Sequence, residues 1–216
     1  GSPDELAFWD MQLAEHGAKL IAARQRLLRD LEGLAQQAHL DLTGKTEVLE
    51  VAYLPSFTPT AEGDGQLSFN TPGLDLHCDL DPAEIAPQFL AALEAGRAEH
   101  VERGTTLIGP HRDEVRLQIN RRDVGLYGSR GQARTAVLSL KLAELAWMKQ
   151  AIGEWPILLM DEVIAELDST RRAYLLERID GATQTLLTTT DPNVFTASFL
   201  QRAAVWRVVN GQVMAD

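Results

Sequence analysis

One cysteine, Cys78, in a chain of 216 residues rules out an internal disulfide, and no apolar run approaches the roughly 18 residues of a membrane-spanning helix. Secretion and bilayer insertion have no support here, so a reducing, cytoplasmic setting is the expectation. Basic residues are also in deficit: Lys and Arg number 20 against 31 Asp and Glu, a formal net charge of -11 at pH 7. That balance excludes nonspecific nucleic-acid binding by the whole surface, because phosphate affinity is built from clustered cations that release counterions. Any such contact has to be local. From Arg97 to Arg134 basic residues outnumber acidic ones, which reads as a solvated face, with a DNA or partner contact as the alternative. Internal repeats and low-complexity tracts are missing as well. The chain opens on Gly1-Ser2 rather than Met, which resembles the scar of a removed tag, so a natural chain that begins upstream is expected. What remains is 45% hydrophobic content, ample for a core.

Leu6, Leu13, Leu20, Leu27 and Leu34 recur every seven residues, with Trp9, Ala23 and Leu31 at intermediate core positions. This spacing predicts a long amphipathic helix with coiled-coil character, in which His16, Asp30 and an interrupting Gly17 make the seam imperfect. An antiparallel partner within the chain is expected over Asp81 to Arg103. There Asp81 can cap, Pro82 suits the first helical position, and Ile85, Phe89, Leu93 and Val101 form an apolar stripe ended by Gly104. Thr46 to Leu54 alternates like a strand, and Gly63 to Asp79 mixes short strand patterns with turns. Residues 1–104 therefore read as a helical arm with a small strand-containing tip. After Gly104 strands (Leu107, Val115 to Asn120, Ile157 to Met160, Thr185 to Thr189) alternate with helices (Gln132 to Gln150, Ser169 to Ile179), which predicts a parallel, covered sheet over 105–216. Asn210-Gly211 between two apolar runs predicts a terminal hairpin.

The strongest chemical motif is ILLMDEVIAELD, Ile157 to Asp168. Four apolar residues running into two acids place carboxylates at the carboxyl edge of a parallel strand, where α/β sheets collect ligands. This is the Walker B arrangement of P-loop ATPases: Asp161 would hold magnesium, usually through water, and Glu162 would orient and deprotonate the attacking water. The bland reading is a strand that leaves the sheet through two acids. Leu167-Asp168 before a helix adds what that reading does not predict, the D-loop of ABC ATPases, although Asp168 also makes an ordinary helix cap. A Walker A motif should accompany these. Gly44-Lys45-Thr46 is the one GK pair, but His39 stands where the motif needs glycine and a helix rather than a strand precedes it, so it reads as a turn.

Half an ATP site suggests a meaning for LYGSRGQAR, Leu126 to Arg134. In ABC ATPases a serine and glycine at the start of a helix cap the γ-phosphate of ATP held by a partner subunit. Gly128, Ser129, Arg130, Gly131 and Gln132 fit that chemistry: glycine lets backbone approach phosphate, serine donates a hydroxyl, and the helix points its positive end at the anion. The bland alternative is a flexible turn.

TTLIGPHRDEV (Thr105 to Val115), YGSRGQARTAVLSLKLAEL (Tyr127 to Leu145), PILLMDEVIAELD (Pro156 to Asp168) and LLTTTDP (Leu186 to Pro192), in that order, resemble the carboxyl-terminal half of the RecF family. WDMQLAEHGAKLIAARQ (Trp9 to Gln25) is similar to the start of its arm. The resemblance implies an α/β, P-loop ABC-type, SMC-like ATPase head plus a mainly helical antiparallel arm with a small sheet. It also implies bacterial DNA repair, recombination, replication and SOS response in a cytoplasmic, nucleoid-associated setting. Further implications are loading of recombinase at gaps or double-stranded/single-stranded junctions in DNA, an ATP-dependent homodimer, and RecR and RecO as partners, without a membrane. ATP and magnesium are the implied cofactors, both requiring an amino-terminal P-loop lobe that this chain does not contain, so the chain alone is expected to be inactive. Carried onto this sequence, Asp161 and Glu162 match Walker B, Asp168 the D-loop, and Ser129, Arg130, Gly131 and Gln132 the signature acting in trans. Thr189 or Thr190 stands where many ABC ATPases place a switch histidine, so slow hydrolysis is expected. The competing readings are another SMC-like or ABC head, and a non-enzymatic helical-arm interaction module. His111-Arg112-Asp113 offers no nucleophile for a triad and reads as a structural or interface turn.

Overall fold

A computed structural model describes residues 3–57 and 76–215, and the chain divides into two compact units, Gly1–Ala151 and Ile152–Asp216. Most of the expected Gly63 to Asp79 strand region lies outside the described residues.

The first unit begins with one uninterrupted helix, α1 (Pro3–Leu42). Its buried hydrophobic positions are Ala14, Ala18, Ile21, Ala22, Leu28, Leu31, Ala35, Ala38 and Leu42, and with Gly17, Gln25 and His39 they form a stripe with the three-and-four spacing of a single helix face. The heptad leucines are not that stripe: Leu20 is 55% exposed and Leu27 36%. Where the partner helix, α2 (Pro82–Glu102), packs, the face of α1 is mostly small, Ala14, Gly17, Ala18 and Ala22, with Ile21 and Leu28 among them. Gly17 therefore does not interrupt α1; it is where the two helices approach, and a Cβ there would meet Phe89 Cε1 at 2.7 Å. Arg97 pairs with Asp10 at 2.7 Å while Phe89 faces Gly17, so the helices run antiparallel, as expected. Asp81 caps α2 by accepting from the Ala83 N–H, Pro82 is the first helical residue, and Gly104 takes φ +65° just past the end. Ile85, Phe89 and Leu93 are buried, but Val101 is 59% exposed and lies off the stripe.

β1 (Leu49–Leu54) buries Leu49, Val51 and Tyr53 in strict alternation. It pairs antiparallel with β2 (Glu114–Ile119), which turns through Asn120-Arg121 into β3 (Arg122–Asp123). Both turn residues have positive φ, as a two-residue hairpin turn requires. Leu107 lies in no strand, and β2 belongs to an antiparallel sheet with a strand of the first hundred residues rather than to a parallel sheet. A short helix α3 (Val124–Tyr127) leads into α4 (Arg130–Ile152), whose Ala136 and Ala143 pack with Leu31 and Ala35 of α1. Compactness thus carries residues 105–151 with the arm, because β2 hydrogen-bonds to β1 and α4 rests on α1.

In the second unit β4 (Leu158–Asp161) and β5 (Thr185–Thr188) pair in parallel across α5 (Ser169–Ile179), the strand–helix–strand order that the sequence predicts. β4 is not a fully buried strand, however: Leu159 is 76% exposed and Ile157 just before it 63%. Apolar core in this unit comes from Ile164, Leu167, Leu175 and Ile179. After a short helix α6 (Ala197–Leu200), β6 (Trp206–Val209) and β7 (Gln212–Ala215) form the expected hairpin, with Asn210 at φ 51° and Gly211 at φ 78°.

Candidate nucleotide site

Asp161 ends β4 directly opposite Thr188 at the end of β5. The Thr188 hydroxyl donates to Asp161 Oδ1 at 2.5 Å and accepts from the Glu162 N–H at 3.0 Å. One threonine therefore fixes both acids of the DE pair. Glu162 sits at φ 55°, ψ 8°, a left-handed conformation that costs a non-glycine residue roughly 1–2 kcal/mol and that turns its side chain out of the strand direction.

Thr188 was hidden from sequence reasoning, which singled out Thr189 and Thr190. Thr189 instead closes a local turn, with its hydroxyl bonded to the backbone of Asp191, and Thr190 is exposed. The signal for Thr188 is the parallel register, which a sequence does not display.

Asp168 is the cap of α5: its carboxylate accepts from the Arg171 N–H at 2.9 Å and from the Arg171 guanidinium at 2.7 Å. The backbone bond, with the Arg171 charge, holds this carboxyl below its usual range. Arg172 bonds the carbonyls of Leu167 and Val194 and so ties the turn before α5 to the turn after β5.

As to a metal, no group of three or more His, Cys, Asp or Glu converges among the described residues. Asp161 beside a threonine hydroxyl nonetheless suits magnesium, which takes one or two protein oxygens and completes its shell with phosphate and water. Asp161 would hold the ion, which when bound would neutralise charge on the phosphates.

Ser129, Arg130, Gly131 and Gln132, the signature candidates, lie in the first unit. Ser129 Oγ accepts from the Gln132 N–H at 3.2 Å, and Gln132 Oε1 accepts from the Ser129 N–H at 2.9 Å. This is a reciprocal capping box, S-x-x-Q, legible in the sequence. The box uses the Ser129 oxygen only as an acceptor, which leaves its hydroxyl proton free to donate outward. The two glycines sort by cause. A Cβ on Gly128 would meet the Val124 carbonyl oxygen at 2.5 Å, so the turn itself demands glycine. A Cβ on Gly131 would find nothing nearer than Ser129 Oγ at 3.9 Å. Gly131 stands in the first turn of α4, and among the described residues no neighbour requires glycine there. Arg130 is exposed and, among the described residues, its side chain forms no hydrogen bond or ion pair; the same holds for the side chains of Arg121 and Arg122 on the neighbouring hairpin. An open cavity of about 430 Å³ lined by Arg122, Tyr127, Gly128 and Gln132 adjoins this helix start.

Two other sequence features resolve as structural. Gly44-Lys45-Thr46 is the turn that ends α1: Gly44 and Lys45 have positive φ and the Lys45 N–H returns to the Leu40 carbonyl. Asp113 of the HRD turn is a buried hub, bonded by Arg24 at 3.1 Å, by the Ser56 N–H at 2.8 Å and by the Tyr53 hydroxyl. Its neighbours His111 and Arg112 bond the Thr106 carbonyl.

A strand ending in a braced Asp-Glu pair, a capped helix after it and a serine-capped helix packed on a helical arm fit one class, and the structural comparison below shows it: the chain has the fold of one part of an ABC-type ATPase head. No protein-family model matches the chain. It is 39% identical over 209 residues to the DNA replication and repair protein RecF of Gloeothece citriformis (strain PCC 7424), covering 97% of this chain and 50% of that protein. To RecF of Synechococcus sp. (strain JA-3-3Ab) it is 43% identical over 209 residues, 97% of this chain and 51% of that one. A solved structure described as the recombination mediator protein RecF-ATPrS in the RecFOR pathway superimposes with a TM-score of 0.76 at 28% identity, over 100% of this chain and 51% of that chain. The resemblance to RecF thus holds along the whole chain, which spans about half the length of the curated relatives it matches.

Proposed function

We propose that this chain supplies the signature, Walker B and D-loop of a RecF-type recombination mediator, which clamps DNA as an ATP-dependent homodimer and helps to load recombinase at single-stranded gaps. RecR and RecO are its partners, in a cytoplasmic, nucleoid-associated setting. The observation that supports the reading is the start of α4: a Ser129 hydroxyl whose proton the cap does not use, beside an Arg130 whose side chain forms no bond among the described residues and an exposed, uncrowded Gly131. Those are the groups that would meet the γ-phosphate of ATP bound to a second molecule. Gly131 allows the approach, Ser129 donates, and Arg130 supplies charge. Gln132 holds Ser129 in place.

In the same reading Glu162 orients and deprotonates the attacking water at its own subunit's ATP, Asp161 faces the magnesium, and Asp168 acts at the subunit interface while capping α5. Thr189 and Thr190 border the switch position without a histidine, and turnover is slow. Residues 1–104 serve as the arm and 105–216 as the head lobe. This functional division need not follow packing, since the stretch to Ala151 rests against the arm. ATP and magnesium require a phosphate-binding loop, which this sequence lacks. The test is Glu162→Gln in a full-length RecF-type protein containing this segment. ATP should then hold the dimer for at least about tenfold longer on gapped DNA, measured by size-exclusion chromatography with light scattering. A dimer lifetime equal to that of the unsubstituted protein would overturn the assignment.

A further inference from the structure

The capping box has a support that the signature chemistry does not require. Gln132 Nε2 donates to Glu47 Oε1 at 2.9 Å. The amide's orientation is fixed from both sides, because its oxygen accepts from the Ser129 N–H and a carboxylate can only accept. Glu47 lies in the irregular link between α1 and β1, and its other oxygen meets His39 Nε2 at 3.3 Å. His39 is fully buried near the end of α1, and its Nδ1 meets Ser139 Oγ at 3.0 Å. Ser139 directs its single hydroxyl proton to the Thr135 carbonyl at 2.7 Å, so its oxygen accepts from His39 Nδ1–H. The far ring nitrogen then faces the Glu47 carboxylate, which closes the chain of contacts. The bonds start on α4 at Gln132 and return to it two turns later at Ser139. Glu47 and His39 thereby brace the first turns of α4 against the end of the arm helix.

We infer that Glu47 is a positioning residue for the signature: it fixes Gln132, hence the cap and the outward aim of the Ser129 hydroxyl, and links that aim to the arm. The inference rests on the trans-capping role proposed above for Ser129. Without Glu47, Gln132 Nε2 loses a charged partner, the side chain regains rotamer freedom, and Ser129 loses a fixed frame. A carboxylate bond of this kind is worth about tenfold or more in an equilibrium that depends on it.

The experiment is a double-mutant cycle in the full-length protein, read as the ATP-dependent dimer dissociation constant, alongside ATP affinity of the monomer and melting temperature. Glu47→Ala should weaken the dimer by about tenfold, and Ser129→Ala by at least as much. The double substitution should be no weaker than Ser129→Ala alone, since both act through one hydroxyl. Monomer ATP affinity should not change. Glu47→Gln should restore the dimer to within about twofold, because its carbonyl still accepts from Gln132 while its amide can donate to a neutral His39. If Glu47→Ala does not fold, Gln132→Met severs the same link from the helix side and carries the same expectation. If Ser129→Ala leaves dimerisation intact, the trans-capping reading itself fails. If Ser129→Ala weakens the dimer but Glu47→Ala does not, or the two losses simply add, the positioning role is overturned.

Discussion

Helix α1 carries two glycines whose environments differ enough that the same substitution should have opposite signs. Gly33 is exposed and a Cβ built on it touches nothing within 4 Å, so Gly33→Ala should gain the helix-propensity difference of about 0.5–1 kcal/mol. Gly17 starts from the same intrinsic gain, but its Cβ would lie 2.7 Å from Phe89 Cε1 and 3.3 Å from Pro110 Cδ. The ring cannot step aside: Phe89 is fully buried and stacked on Phe57 with centroids 5.0 Å apart. Overpacking of this kind costs about 1–3 kcal/mol, which cancels or outweighs the propensity gain. Because propensity is common to both sites, the difference between the two variants isolates the steric cost, about 1–3 kcal/mol. At about 2–4 °C per kcal/mol for a chain of this size, the two melting temperatures should separate by roughly 2–12 °C, Gly33→Ala above the parent and Gly17→Ala at or below it. Thermal unfolding followed by circular dichroism at 222 nm reads both. Equal stabilisation by the two substitutions would refute the close α1–α2 approach at Gly17.

Two further substitutions probe the hydroxyls that the fold singles out. Thr188→Val removes the group that both donates to Asp161 and accepts from the Glu162 N–H, and should lower ATP turnover of the full-length protein by about tenfold or more, whereas Thr188→Ser should retain most of it; equal rates for the two variants would count against the brace. Burial, then the bond to Asp113, pushes the Tyr53 hydroxyl above its ordinary value of 10.0, so the folded state favours the neutral phenol. That contribution is complete below pH 10 and is lost as pH rises further, so urea midpoints should fall from about pH 10 upward more steeply in the parent than in Tyr53→Phe.

How far the sequence reached can be traced through single residues, and the limit is set by the range of the interaction. The α2 cap at Asp81, the α5 cap at Asp168 and the Asn210-Gly211 hairpin are fixed by neighbours within four residues, and their residue types announce them. Thr188 became visible only with the register of β4 against β5, 27 residues apart in sequence from Asp161. Glu47 and Gln132 are separated by 85 residues, and nothing local in GKTEV marks its glutamate as a partner of the signature. The heptad leucines show the opposite failure. Their period is genuine, but period alone names a face, and which face is buried depends on how closely the second helix comes. Gly17 admits Phe89 of α2 to a distance at which a side chain cannot fit, and the buried face runs through Ala14, Ala18, Ile21 and Leu28, which leaves Leu20 and Leu27 toward solvent. For the signature, the local and distant readings were both required. S-x-x-Q is a complete explanation of Ser129 and Gln132 as a helix cap, and a capping box alone would have dismissed the site. It leaves Gly131 unaccounted for, as Gly33 is in α1, so a glycine without a close neighbour does not by itself separate a phosphate cap from a plain helix start; the Ser129→Ala dimer measurement does.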